Sequence, residues 1–307
     1  MTKPITASHR RGLFITLLTA LAYSVWPSAM RAVYADGANT SFVIVVGMML
    51  RSLPLLINAL FTQKPLFQTR TDTRNAITGG FFQAFSSGAA FAAVHFLPGP
   101  LAIVILFSHT IMLLFFMIWR KEIKADAATV VATTSALIGL IFVLDLFHKQ
   151  SSTNLLGMAC AFVSAIAIAS RLYVIGHQTK TRHPVVVGAE NYLVAMLMTL
   201  TVLLWQIPHP PQTASGYAWL FFGCFTLGLG TLGQFYAIGL LGSFRYSLFL
   251  KLEPLFATVF AALLIHEYLQ SIQYFGIVLV IGSLGLYQFI EHRRRNAYTE
   301  IMSTTNE

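Results

Sequence analysis

Five charged side chains sit in stretches where a chain of this composition has little use for charge. Arg51, Glu190, Lys251 and Glu253 lie inside long apolar runs, and Arg171 lies near the end of another. A charge near the centre of a bilayer costs about 2.5–3.5 kcal/mol on insertion scales, so its retention points to a ligand, a proton pathway or a partner. Arg51 and Lys251 are too central to snorkel, and they read as ligands for a carboxylate or other anionic group, or as members of interhelical ion pairs. Glu190 and Glu253 are candidates for proton uptake or ion pairing. Arg171 either lines the same centre or reaches for the headgroups. Lys251 and Glu253 are two residues apart, so on a helix they face different sides and do not pair directly.

Around these charges stand residues suited to a binding cavity. Trp26 offers a flat apolar wall, and Gln83 and Gln234 offer hydrogen bonds from within apolar segments. Pro254 follows Glu253, removes one backbone N–H and predicts a kink or hinge; Pro27 and Pro54 are placed to do the same. Gly223, Gly228, Gly230, Gly233 and Gly239 make one segment thin, and Gly79, Gly80, Ala84, Ser86, Ser87 and Gly88 do so for another. Such residues serve close helix packing, or leave room for a cavity.

Other chemistries lack their signatures. His95 and His109 are isolated, and no His-Glu-x-x-His, Cys-x-x-Cys, Ser/His/Asp or Walker-type pattern occurs, which argues against a metal, a hydrolase or ATP hydrolysis. No cofactor is expected. Cys160 and Cys224 fall in apolar segments and read as packed thiols. The formal charge of +9 comes without an aromatic-interleaved basic stripe, so a nucleic acid is not an expected partner.

The elements that must position these residues follow from composition. The 307 residues are 56% hydrophobic and 10% charged, too little charge to clothe a soluble protein of this size. Apolar segments of about 20 residues, enough to span a bilayer, recur at 12–34, 39–62, 74–95, 98–119, 126–146, 153–174, 184–206, 216–238, 243–265 and 270–290. The first is too long for a signal-peptide core. The expected fold is an all-α membrane protein of ten transmembrane helices. With the N-terminus inside, Lys3, Arg10, Arg11, Lys64, Arg70, Arg74, Arg120, Lys121, Lys124, Lys180, Arg182, Arg245 and Arg293 to Arg295 all fall on the cytoplasmic side. Lys149 and Arg31 fall outside.

A shift of 145 residues lays the second half on the first: Gly12 on Gly157, Ala20 on Ala165, Gly88 on Gly233 and Glu122 on Glu267. Each half holds an odd number of spans, so the halves are inverted, as in many secondary transporters. The organisation read from this is a cytoplasmic tail over 1–11, five-helix repeats over 12–147 and 153–291, and a cytoplasmic tail over 292–307, its end from Ala297 expected to be disordered.

The run from Lys251 through Glu253-Pro254 to His266-Glu267, with Gln273 to Gly285 after it, resembles the second repeat of the drug/metabolite transporter superfamily, EamA type. A Glu-Pro within the ninth helix and a Glu closing it carry the resemblance. Glu122 holds the equivalent place in the first half, where His109 stands at a position at which Pro is frequent. The resemblance implies two inverted five-helix repeats, a central cavity formed mainly by the first four helices of each, peripheral fifth and tenth helices, alternating access by rocking, and export of amino acids or other small metabolites. Lys251 departs from the pattern, which has an apolar or small residue there. The expected partners are a small-molecule solute and the lipid bilayer, with a homodimer left open, and the expected location is the bacterial inner membrane. The rival readings are an exchanger of organic phosphates or nucleotide-linked sugars and, from another class, a membrane-embedded lipid-processing enzyme or a sensor.

Overall fold

A computed structural model describes residues 5–97, 99–123, 126–146, 154–265 and 269–304. Lys3, Lys124, Lys149, His266 and Glu267, and the side chain of His95, lie outside what is described. All regular structure among the described residues is helical.

Ten spans account for these helices. Span one is α1 (Ile5–Ser24) and α2 (Trp26–Ala35), span two α3 (Thr40–Thr62), span three α4 (Arg70–Phe96), and span four α5 (Gly99–Phe107) and α6 (His109–Trp119). Span five is α7 (Ala127–Val143), span six α8 (Leu155–Thr181), and span seven α9 (Pro184–Thr199) with a closing 3₁₀ turn (Leu200–Leu204). Span eight is α10 (Ala214–Leu241), span nine α11 (Ser243–Phe249) and α12 (Leu252–Ile265), and span ten α13 (Ser271–Thr304). Among the described residues, seven stretches are long and apolar enough to cross a membrane by length and composition alone. The remaining spans are the more polar α4, the shorter α7 and the broken ninth.

Two boundaries differ from the sequence reading in ways that matter. Span six runs to Thr181 rather than 174, which places Arg171 ten residues short of its end. Arg171 is 8% exposed and does not snorkel. Span ten continues as helix to Thr304, correcting the expectation of disorder from Ala297. The run after Glu291 holds helix-favouring Arg, Ala, Glu and Met, with no Gly or Pro to stop it.

The contacts between spans repeat under exchange of the two halves. α4 packs on α8 as α10 packs on α1, and α9 packs on α4 as α3 packs on α10. α5 and α6 lie against α8 as α11 and α12 lie against α1, while the pairs α3–α9 and α7–α13 map onto themselves. That is the contact pattern of an inverted repeat. α7 and α13 pack chiefly on each other, at the periphery. The span-eight glycines serve packing: a Cβ on Gly223 would come 2.6 Å from Ala29 Cβ, one on Gly228 2.8 Å from Arg51 O, and one on Gly230 2.5 Å from the Tyr23 ring.

Two loop clasps, related by the same exchange, join the halves at opposite faces. On the face that holds both termini, where the His9 ring meets the Gln288 amide at 3.2 Å, Arg182 donates to both oxygens of Glu190 at 2.6 and 2.7 Å. Phe67 N donates to the same carboxylate at 2.6 Å, and Asp72 approaches Arg182 at 3.3 Å. On the opposite face, Asp36 accepts from Thr213 N and Oγ1 at 2.8 and 2.9 Å. There Asn39 accepts from His209 N at 3.0 Å and donates to Ile207 O at 2.8 Å.

Candidate functional site

Three spans are broken, and two of the breaks meet. In span nine Pro254 has no N–H for Leu250 O; Glu253 N donates there instead at 2.9 Å, and Lys251 N turns to Leu248 O at 3.3 Å. The helix therefore stops at Leu250–Lys251, as Pro254 predicted. Span four breaks at Ser108 without a proline. Ser108 Oγ donates to Ile105 O at 2.6 Å, and His109 Nδ1 lies 2.7 Å from Leu106 O. Such back-bonding from side chains competes with the helical ladder. The carbonyls set free are met from the other half: Lys251 Nζ donates to Phe107 O at 3.2 Å, and Thr110 Oγ1 to Ser247 O at 3.3 Å. Span one breaks at Val25, ahead of Pro27. Pro54, by contrast, sits inside an unbroken α3.

Arg51 projects from the middle of α3 between two tyrosines. Its guanidinium lies 5.7 Å from the ring centre of Tyr23 and 5.2 Å from that of Tyr192, close enough for cation–π attraction. Arg51 Nε donates to Thr231 Oγ1 at 2.7 Å, and Nη2 to Tyr23 OH at 3.5 Å. The buried Gln234 carries the network on. With its amide nitrogen toward Tyr23 OH (2.7 Å), its oxygen accepts from Arg171 Nη1 and Nη2 at 3.2 and 3.3 Å; this orientation is the one that satisfies both neighbours. Gln83 accepts from Tyr192 OH at 3.2 Å and donates to Ser87 Oγ at 3.0 Å.

A narrow cleft leads to Arg51. Trp26, Val43, Ile44, Gly47, Ser87 and Phe91 are among its lining residues. These precede Arg51 on α3 and follow Gln83 on α4, so the cleft runs toward the Asn39 end of α3, the face opposite the termini. Its walls are apolar apart from Ser87, Arg51 is its charged lining residue, and its volume of about 40 Å³ admits a solute only when the surrounding helices move apart.

The structure thus gathers Trp26, Arg51, Gln83, Arg171 and Gln234 around one centre, with Lys251 fully buried at the adjoining breaks. Glu253 is partly buried on the same broken span, within the electrostatic reach of Arg51. Glu190 lies elsewhere, in the clasp with Arg182. Among the described residues, Arg51, Arg171, Lys251 and Glu253 have no ion-pair partner within 4.0 Å. Sequence reasoning missed Tyr23, Tyr192 and Thr231, because it searched the spans for charge. The available signal was that a tyrosine in mid-span must find a partner for its hydroxyl. No group of three or more His, Cys, Asp or Glu suited to a metal occurs among the described residues.

Comparison with known proteins bears on the family and the fold. Residues 155–288, spanning α8 to most of the apolar part of α13, match the EamA-like transporter family. They include Glu253-Pro254. An uncharacterized transporter of Synechocystis sp. is 22% identical over 311 residues, covering 91% of this chain and 93% of the relative. One solved crystal structure, described simply as that of a protein, has a TM-score of 0.78 over 92% of this chain and 98% of its own, at 13% identity. That last likeness is one of fold.

Proposed function

We propose that the chain, whose residues 155–288 match the EamA-like transporter family, is a multi-pass transporter of the drug/metabolite transporter superfamily that acts as a secondary-active carrier exporting amino acids or related small metabolites. The observation that carries this reading is the position of Arg51: a cation without a carboxylate partner at the floor of an apolar cleft, between the two repeats. A solute carboxylate seated there would pair with the guanidinium, and the apolar remainder would lie against Trp26 and Phe91.

Alternating access then uses the inverted halves, with the breaks of spans four and nine as the deformable points. The basic loops support an N-in, C-in orientation, and the membrane proposed is a bacterial inner membrane. In that orientation the cleft opens outward, as expected of an exporter's release state. Glu253, near Arg51 and Lys251, is the group proposed to carry a coupling proton.

Counterflow in proteoliposomes tests the reading. Vesicles loaded with a mixture of unlabelled amino acids should take up at least one labelled amino acid, and Arg51→Met should reduce that uptake at least tenfold. Uptake by Arg51→Met equal to the parent's would remove Arg51 from the binding site. Uphill transport that persists when an ionophore collapses the proton gradient would remove Glu253 from coupling.

A further inference from the structure

The centre carries more positive than negative charge. Arg51, Arg171 and Lys251 are accompanied by one carboxylate, Glu253, which lies within the electrostatic reach of Arg51, while Glu190 is taken by Arg182 and Phe67 N. The formal excess is two. Charges held away from water are ordinarily paired, because the desolvation of each costs several kcal/mol. Hydrogen-bond donors are in surplus as well. Arg171 Nε and Tyr246 OH are buried without a partner, and Lys251 directs one of its three N–H bonds to Phe107 O and shows no second acceptor. The cations form a series rather than a single point. Arg51 touches Tyr23, Gln234 bridges Tyr23 to Arg171, and His109 lies within the electrostatic reach of both Arg171 and Lys251.

We propose that the transported solute is a dianion, with one anionic group on Arg51 at the cleft floor and the other on Arg171 and Lys251 beyond Gln234. This rests on the carrier reading above and narrows its substrate class to dicarboxylates, whose two anionic groups are separate enough to reach both cation sites. An anionic group arriving at Lys251 exchanges the weak acceptor Phe107 O for a charged one. It thereby loosens the bond that holds the span-four break to span nine.

Binding to purified full-length protein in detergent, read as the shift in its thermal unfolding midpoint, tests the proposal. The probes are glutarate, inorganic phosphate, butyrate and chloride at matched ionic strength; a ligand that binds the native state raises the midpoint with concentration. Glutarate should give a saturable rise that exceeds the effects of butyrate and of phosphate, whose charges sit on one group and cannot reach both cation sites. Lys251→Met should weaken the dianion at least tenfold and leave butyrate unchanged, whereas Arg51→Met should weaken both. Lys251→Arg, which keeps the charge, guards against loss of fold and should retain dianion binding.

Two results overturn the proposal: glutarate indistinguishable from butyrate, phosphate or chloride, or a folded Lys251→Met that binds glutarate like the parent. Counterflow of a neutral or monoanionic amino acid, with no dianion binding, would leave the carrier reading standing and sink this one. Counterflow of glutarate with none of any neutral amino acid would uphold this proposal and remove neutral amino acids from the carrier's substrates.

Discussion

The two clasps occupy equivalent places in the two halves and are built from different chemistry. Arg182, Glu190 and Asp72 make an ionic clasp in which the carboxylate of Glu190 is 1% exposed. Asp36, Asn39, His209 and Thr213 make a more exposed clasp in which one carboxylate and one amide bond to backbone and hydroxyl groups. The repeat thus fixes where the halves are tied and leaves open how. The difference in burial predicts a difference in fragility. Removing one partner of a buried pair strands the other, while water can replace a bond lost at the surface.

Glu190→Ala should show the largest effect. It leaves Arg182 against Asp72 alone and Phe67 N–H without an acceptor, at a cost of about 3–5 kcal/mol, read as faster unfolding in denaturing mixed micelles. A loss below about 1 kcal/mol would mean that the two clasps are energetically alike, in the range usual for exposed pairs. Asn39→Ala comes next, at about 1–2 kcal/mol, because Asn39 caps α3 through Phe42 N and also ties His209. Thr213→Ala should cost about 1 kcal/mol through loss of the α10 cap, where Thr213 Oγ1 accepts from Gly216 N. Destabilisation by Asn39→Ala beyond that of Glu190→Ala would invert the comparison.

The smallest effect concerns pH. His183 adjoins the ionic clasp and stacks edge-on with Tyr236 at 6.1 Å. Burial, and then the charge of Lys64, lower its pKa below the ordinary 6.5. The unfolded histidine therefore takes up a proton first as the medium is acidified. Its contribution to stability is present above pH 6.5, is lost as the pH falls below that value, and levels off under the folded pKa. His183→Gln should flatten the unfolding rate of the protein between pH 7 and 5 by a small amount. An unchanged profile would show that His183 does not contribute to it.

The broken spans show how far sequence reached into the site. Pro254 announced the break in span nine, since a missing N–H is a local fact. Span four breaks without a proline, and its signal was faint: Ser108 and His109 bond backward, but each also occurs in unbroken helices. What fixes that break is Lys251, from 144 residues away. Pro54 teaches the converse, as α3 continues through it beside Gly228. Proline creates an unsatisfied carbonyl, and the neighbours decide whether the helix stops there.

By itself the sequence determined the ten spans, their duplication and the charged residues within them. Bilayer thickness sets the length of an apolar run, and the cost of buried charge marks its exceptions; both act on consecutive residues. Only the tertiary structure decided the partners. Glu190 was equally a proton carrier or half of an ion pair until Arg182 and Phe67 N closed on it. Arg171 was a residue near a helix end until α8 proved longer and turned it toward Gln234. Tyr23 and Tyr192 became the cradle of Arg51 because α1, α3 and α9 meet there. Hydrogen bonds between residues far apart in the chain depend on how helices cross, and hydropathy along a single segment carries no information about the crossing.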